Sequence, residues 1–189
     1  SNWNTMTADG NYRLTEDITI TGNILSTFTG TLDGNYHTIS GLTDPLFENV
    51  KGGTVKNLIF SNVNISGSSA GAVCGTASGS ARIYNCGVLG GSVSASDNAG
   101  GLVGTIAANS NVRVVNCYNY ATISGGTYAA GIVGRNQGTI SGTTTVSTTG
   151  VRITNCMMYG DMTSGTNRSP VYGGNHTDNV QKLTEYNYY

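Results

Sequence analysis

Three of the four cysteines recur in a pattern. Cys86, Cys117 and Cys156 each close a short motif: Arg82-Ile-Tyr-Asn-Cys86, Arg113-Val-Val-Asn-Cys117 and Arg152-Ile-Thr-Asn-Cys156. Thiols at matching positions suit soft metals, disulfide exchange or burial. No histidine recurs beside them, which argues against a metal centre. Free cysteine is among the most buried residue types, so the three read as a ladder of small core thiols. A disulfide between two rungs is the alternative, because stacked strands lie about 4.8 Å apart. Cys74 stands where later copies carry Gly104 and Gly134. The two histidines, His37 and His176, are distant in sequence and read as surface or turn residues.

Glycoside hydrolysis needs two carboxylates at a defined separation. The ten acidic residues scatter instead. Asp33 precedes Gly34 and is explained by a turn. Asp44, Asp97 and Asp161 have no acidic counterpart at matching positions. A lyase would want a base near carboxylates that hold calcium. Arg82, Arg113 and Arg152 do form a column, but stacked like charges read as a solvated edge. The sequence therefore assigns no catalytic residue, metal ligand or cofactor, and structural calcium is not indicated. A polysaccharide lyase or hydrolase is the main enzymatic rival.

Binding chemistry has more to work with. Eleven tyrosines against three phenylalanines is a skew towards aromatics with a polar handle. Tyr120 and Tyr159 share a repeat position, with Leu89 one unit earlier and Tyr118 close by. Facing outward, Tyr118, Tyr120 and Tyr159 would form an aromatic strip for a sugar or a protein. Facing inward, they would be core.

The elements that place these residues follow from periodicity. Gly71-Ala-Val-Cys74, Gly101-Leu-Val-Gly104 and Gly131-Ile-Val-Gly134 begin about 30 residues apart, a period that marks a solenoid. Each unit carries three short apolar pieces, read as three strands with bends between them. One such coil cannot bury its inner face alone, so coils must stack. Stacking predicts an aliphatic column (Val55, Ile83, Val114, Ile153) and an amide column (Asn57, Asn85, Asn116, Asn155). Asn suits a bend because it tolerates left-handed backbone.

Composition agrees. Twenty-eight glycines and only two prolines, with abundant Ser, Thr and Asn, suit short strands and tight turns. Charged residues are 10%, against about 25% in ordinary globular proteins. The net charge of −1, without a basic block, points away from nucleic acid and anionic membranes. No apolar run has the length of a transmembrane span. The start at Ser1-Asn2-Trp3 suggests an excised or mature fragment, and low charge with abundant Ser, Thr, Asn and Gly resembles extracellular bacterial repeat proteins.

Residues 1–53 read as opening coils, 54–160 as clear repeats, and 161–189 as the last coil and end. Pro45-Leu-Phe47 supplies bulk to plug the first coils, and Thr184–Tyr189 could close the far end. The Asn116-to-Asn155 interval is longer than the others, with the excess in the Thr-rich stretch near 138–150. Insertions in solenoids map to loops.

Asn116-Cys-Tyr-Asn-Tyr-Ala-Thr-Ile-Ser-Gly-Gly126 and Ala130-Gly-Ile-Val-Gly134 resemble the GLUG-type repeat of bacterial surface proteins. Gly10-Asn-Tyr-Arg-Leu-Thr-Glu-Asp-Ile18, Phe28-Thr-Gly-Thr-Leu-Asp-Gly-Asn35 and Pro45-Leu-Phe47 resemble the β-helical lead-in of immunoglobulin-A-cleaving metallopeptidases. Such regions precede the catalytic domain, and the zinc-binding His-Glu-x-x-His motif does not occur in this chain. The resemblance therefore implies a non-catalytic neighbour of an enzyme.

The expectation is an all-β, right-handed parallel β-helix of about seven coils, one domain over residues 1–189, with handedness following that of parallel crossovers. Its expected role is a monomeric adhesion or display module of a longer secreted or cell-surface protein. A glycan or a host surface protein would be the partner, without nucleic acid or membrane insertion. A rigid spacer is the third reading.

Overall fold

A computed structural model describes residues 5–138 and 150–174. The Thr-rich stretch 141–149, His176 and the closing Thr184–Tyr189 lie outside the described residues. The described residues are all-β, with twenty-four short strands among them in four six-stranded parallel sheets.

Sheet 1 stacks Asn11–Arg13, Thr31–Asp33, Thr54–Lys56, Arg82–Tyr84, Arg113–Val115 and Arg152–Thr154. Sheet 2 stacks Ile18–Thr19, Thr38–Ser40, Ile59–Ser61, Gly87–Val88, Tyr118–Asn119 and Met157–Met158. Sheet 3 begins later, with Val63–Ala70 and Gly91–Gly100, and continues as the pairs Thr122–Gly125 with Tyr128–Ala130 and Met162–Ser164 with Asn167–Ser169. Sheet 4 stacks Leu25–Phe28, Phe47–Lys51, Cys74–Ser78, Val103–Ile106, Val133–Asn136 and Tyr172–Gly174.

The chain visits the sheets in the order 1, 2, 3, 4 and returns to sheet 1 one rung on. That gives six rungs among the described residues. The expected three strands per coil hold only for the first two rungs, which pass directly from sheet 2 to sheet 4. From the third rung, sheet 3 adds a fourth side. Rung length follows: the paired Thr19 and Ser40 are 21 residues apart, whereas the bonded Asn57 and Asn85 are 28 apart and Asn85 and Asn116 are 31 apart.

Alternation along each strand sends every second residue inward. In sheet 1, Leu32, Val55, Ile83, Val114 and Ile153 pair rung to rung and are buried. Leu46 and Phe47 fill the first rungs, with the Phe47 ring stacked on Phe28 at 4.5 Å. The thiols of Cys86, Cys117 and Cys156 are buried and in no disulfide, and each donates to the carbonyl two residues before it, Tyr84, Val115 and Thr154, at 3.3 Å. Burial pushes the Cys86 and Cys74 thiols up to about 12.

The repeat glycines are offset by one place from the sequence expectation. Ala70 pairs with Ala99, and Cys74 with Val103, so Gly75 rather than Cys74 stands level with Gly104. An irregularity between Ala95 and Asn98 lengthens the step from 28 residues (Gly67 to Ala95) to 29 (Ala70 to Ala99), which still falls one short of the 30 that separate Gly71 from Gly101, so Gly100 is the residue level with Gly71. Likewise Tyr172 pairs with Val133, which places Gly173 level with Gly134.

The amide column turns the corner between sheets 1 and 2. Asn57, Asn85, Asn116 and Asn155 have φ of 53°, 53°, 56° and 51°. This is left-handed backbone, which Asn adopts more readily than other non-glycine residues. Each side-chain amide donates to the one before it: Asn85 to Asn57 at 2.9 Å, Asn116 to Asn85 at 3.1 Å and Asn155 to Asn116 at 2.6 Å. Asn57 donates to Asp33 at 3.0 Å, so a carboxylate heads the column.

Candidate functional site

Two columns of side chains cover the outer face of sheet 2. Pairing places Thr38, Ile59, Gly87, Tyr118 and Met157 in one column. The other begins with Thr19, Ser40 and Ser61 and continues as Leu89, Tyr120 and Tyr159, one residue past the strands. The backbone ladder carries these last three, because Leu89, Tyr120 and Tyr159 donate their N–H to Phe60, Val88 and Asn119 of the preceding rung at 2.8–2.9 Å. The face is rich in hydroxyls at its opening end and aromatic at the other.

Leu89, Tyr120 and Tyr159 are 54%, 47% and 59% exposed, so this column points outward. Tyr120 and Tyr159 stack with centroids 4.7 Å apart and planes 10° from parallel. Tyr118 meets Tyr120 nearly perpendicularly at 5.9 Å. These are the offset-stacked and edge-to-face geometries that aromatic pairs prefer. The structure thus brings all three sequence-selected tyrosines together. Rung-to-rung stacking takes up one face of Tyr120 and one of Tyr159, so the strip presents ring edges and phenol groups as well as open face.

Tyr118 is half-buried because its ring lies over Gly87 of the preceding rung. A Cβ at Gly87 would fall 2.0 Å from that ring. Burial, and then the neighbouring Tyr120, push the Tyr118 phenol above its usual range. The Tyr159 hydroxyl donates to Met157 Sδ at 3.6 Å.

A residue that sequence reasoning missed holds this strip. Asn119 is fully buried at a core position where Val88 and Met158 stand in adjacent rungs. Its Oδ1 accepts the Ala121 N–H at 2.9 Å, and its Nδ2 donates to the Ala121 carbonyl at 3.1 Å. Both hydrogen bonds close over Tyr120, which fixes the turn that projects that ring. An amide flanked by tyrosines in Tyr118-Asn119-Tyr120 was the available signal, because it inverts the usual burial order.

At the opening end of the same face, Asp17, Ile18, Thr19, Thr38, Ser40, Ser61 and Asn62 line a shallow depression of about 280 Å³. Asp17 accepts the Thr38 N–H at 2.8 Å and lies 3.2 Å from His37 Nδ1. The Thr38 amide, then the His37 ring, hold the exposed Asp17 carboxyl below its ordinary value. Asp33 is committed elsewhere, to the Asn35 N–H, the Asn57 amide and, at 3.4 Å, Lys56. Among the described residues, no three His, Cys, Asp or Glu side chains cluster closely enough to hold a metal ion.

Residues 10–90 match the sequence model of the M26 IgA1-specific metallo-endopeptidase N-terminal region. The match spans the opening rungs and ends one residue after Leu89, short of the tyrosines. No curated protein matches the chain.

Proposed function

We propose that this chain is a right-handed parallel β-helix acting as a non-catalytic adhesion or display module of a larger secreted or cell-surface bacterial protein. Its binding face is the outer surface of sheet 2, and its partner is a glycan or a host surface protein. The observation that carries this reading is the exposed Tyr120–Tyr159 stack in line with Leu89. Soluble chains seldom spend large aromatics on open surface, and contiguous exposed apolar patches mark interaction sites. Tyrosine suits the role because it combines a wide apolar ring with a hydrogen-bonding tip.

The partial match to the N-terminal region of a metallopeptidase family supports a secreted origin and a position beside a catalytic domain. The GLUG-like motifs of residues 116–134 support the same placement. Binding needs no metal or cofactor in this reading.

The test is a broad glycan array, with and without calcium, using the chain and a Tyr120→Ala/Tyr159→Ala variant. Saturable binding that the double substitution abolishes supports the adhesive face. Binding that survives the substitution, or no binding to any glycan or host-cell protein, removes it and leaves the spacer reading.

A further inference from the structure

Formal charge is nearly balanced over the chain but is segregated along it. Six carboxylates lie before Lys51, against a single Arg13. Between Lys51 and Arg168 there are seven cations and only two acids, Asp97 and Asp161.

Three of those cations share one column. Arg82 pairs with Arg113, and Arg113 with Arg152, at the first position of consecutive sheet 1 strands. Ile83, Val114 and Ile153 follow them into the core, so alternation turns the arginines outward. Like charges directly opposite on adjacent strands oppose folding. The sheet does not require them, since Asn11, Thr31 and Thr54 occupy the same column in the first three rungs.

Among the described residues no carboxylate forms an ion pair with the column. The ion pairs among the described residues are His37–Asp17 and Lys56–Asp33, both near the opening end. Arg82 is anchored instead on backbone, its Nη1 donating to the carbonyls of Ser80, Ala81 and Asn111 at 2.8, 3.1 and 2.7 Å.

We infer that the Arg82–Arg113–Arg152 column is a binding track for a linear polyanionic glycan with one carboxylate per sugar, laid along the stacking axis. The planar guanidinium fork matches a carboxylate bidentately. Rungs about 4.8 Å apart set the three arginines in a regular row along the stacking axis, which suits a linear chain with carboxylates at regular intervals. A nucleic-acid duplex fits less well, because each strand carries one phosphate per about 3.4 Å of helix axis, out of step with the rungs. This inference stands apart from the tyrosine strip on sheet 2, and either can fail alone.

The test measures binding of the purified chain to polygalacturonate oligomers of increasing length at about 50 mM and about 200 mM salt. Neutral galactan, dextran sulfate and single-stranded DNA serve as comparators. Affinity should rise with oligomer length until three rungs are spanned and then level off. Arg113→Gln/Arg152→Gln should weaken binding about tenfold and reduce the salt slope by about two. Arg82 is left intact because of its backbone bonds. If that variant melts early, Arg113→Lys/Arg152→Lys decides the matter, since it keeps charge on the same strands but not the bidentate fork, and it should keep the salt slope while losing part of the affinity. The inference is overturned by no polygalacturonate binding at low salt, by undiminished binding of the glutamine variant, by a lysine variant whose salt slope falls as far as the glutamine variant's, or by tighter binding of dextran sulfate or DNA.

Discussion

Asn155 donates its side-chain amide to Asn116 across 39 residues of chain, and the same bond joins Asn116 to Asn85 across 31. The register of the corner is therefore kept although the connecting segments differ in length. The column keeps the same rung-to-rung bond on both steps.

That column makes a stability prediction. Asn116→Ala removes two side-chain hydrogen bonds and forces alanine into φ of 56°. The expected loss is about 1–3 kcal/mol in urea unfolding. Asn116→Gly loses the bonds but tolerates the backbone, so it should cost less than the alanine variant. Equal losses would assign the whole effect to the bonds.

Acid should weaken the head of the column. Burial raises the Asp33 pKa, but the Asn35 N–H, the Asn57 amide and Lys56 together outweigh it, and the folded value lies below the ordinary 3.8. A depressed carboxylate contributes stability above its unfolded pKa and loses it as pH falls through the folded one. Asp33→Asn should therefore be less stable than the parent at pH 7, with the difference shrinking below about pH 4. Parallel denaturation curves at both pH values check this.

The thiols should be silent. With Cys74 and Cys86 pushed up to about 12 and all four cysteines buried, the native chain should not react with a thiol reagent at pH 8. Labelling should proceed only as fast as the chain opens and become complete in denaturant. Rapid native labelling of any cysteine would contradict the burial.

The bracket under Tyr120 can be separated from the ring itself. Asn119→Val copies the Val88 of the preceding rung, but it leaves the Ala121 N–H and carbonyl without their buried partner. A loss of about 1–3 kcal/mol is expected. A double-mutant cycle between Tyr120 and Tyr159 should give a coupling of about 0.5–1.5 kcal/mol. A coupling near zero would mean that the two rings do not stack in solution.

Much of the fold was legible because stacking repeats a local rule. The inward column Val55, Ile83, Val114 and Ile153 and the amide corner can both be read from three-residue motifs. The fourth side was hidden: Val63–Ala70 and Gly91–Gly100 are rich in Ser, Gly and Ala and lack the aliphatic run that announces a strand. The one-place offset at Cys74 escaped as well, since Gly100 and Gly101 are adjacent and only the pairing of Ala70 with Ala99 shows that Gly100 is level with Gly71. At the tyrosines, the types could be read but not the direction. In Tyr118-Asn119-Tyr120 the amide is buried and Tyr120 is exposed, against ordinary hydrophobic order, because Asn119 exchanges water for two backbone bonds at Ala121.

The late arrival of sheet 3 gives the module a front and a back. The first two rungs carry three strands each, and sheet 3 joins from the third rung on. A duplicated unit of about 30 residues matches the outline of a four-sided rung and has no counterpart among the three-sided ones. Lengthening by duplication is thus polar, like adding barrels to a cask beyond its tapered end. Any cation or aromatic row on the broad part can gain another step without redesign of the narrow part.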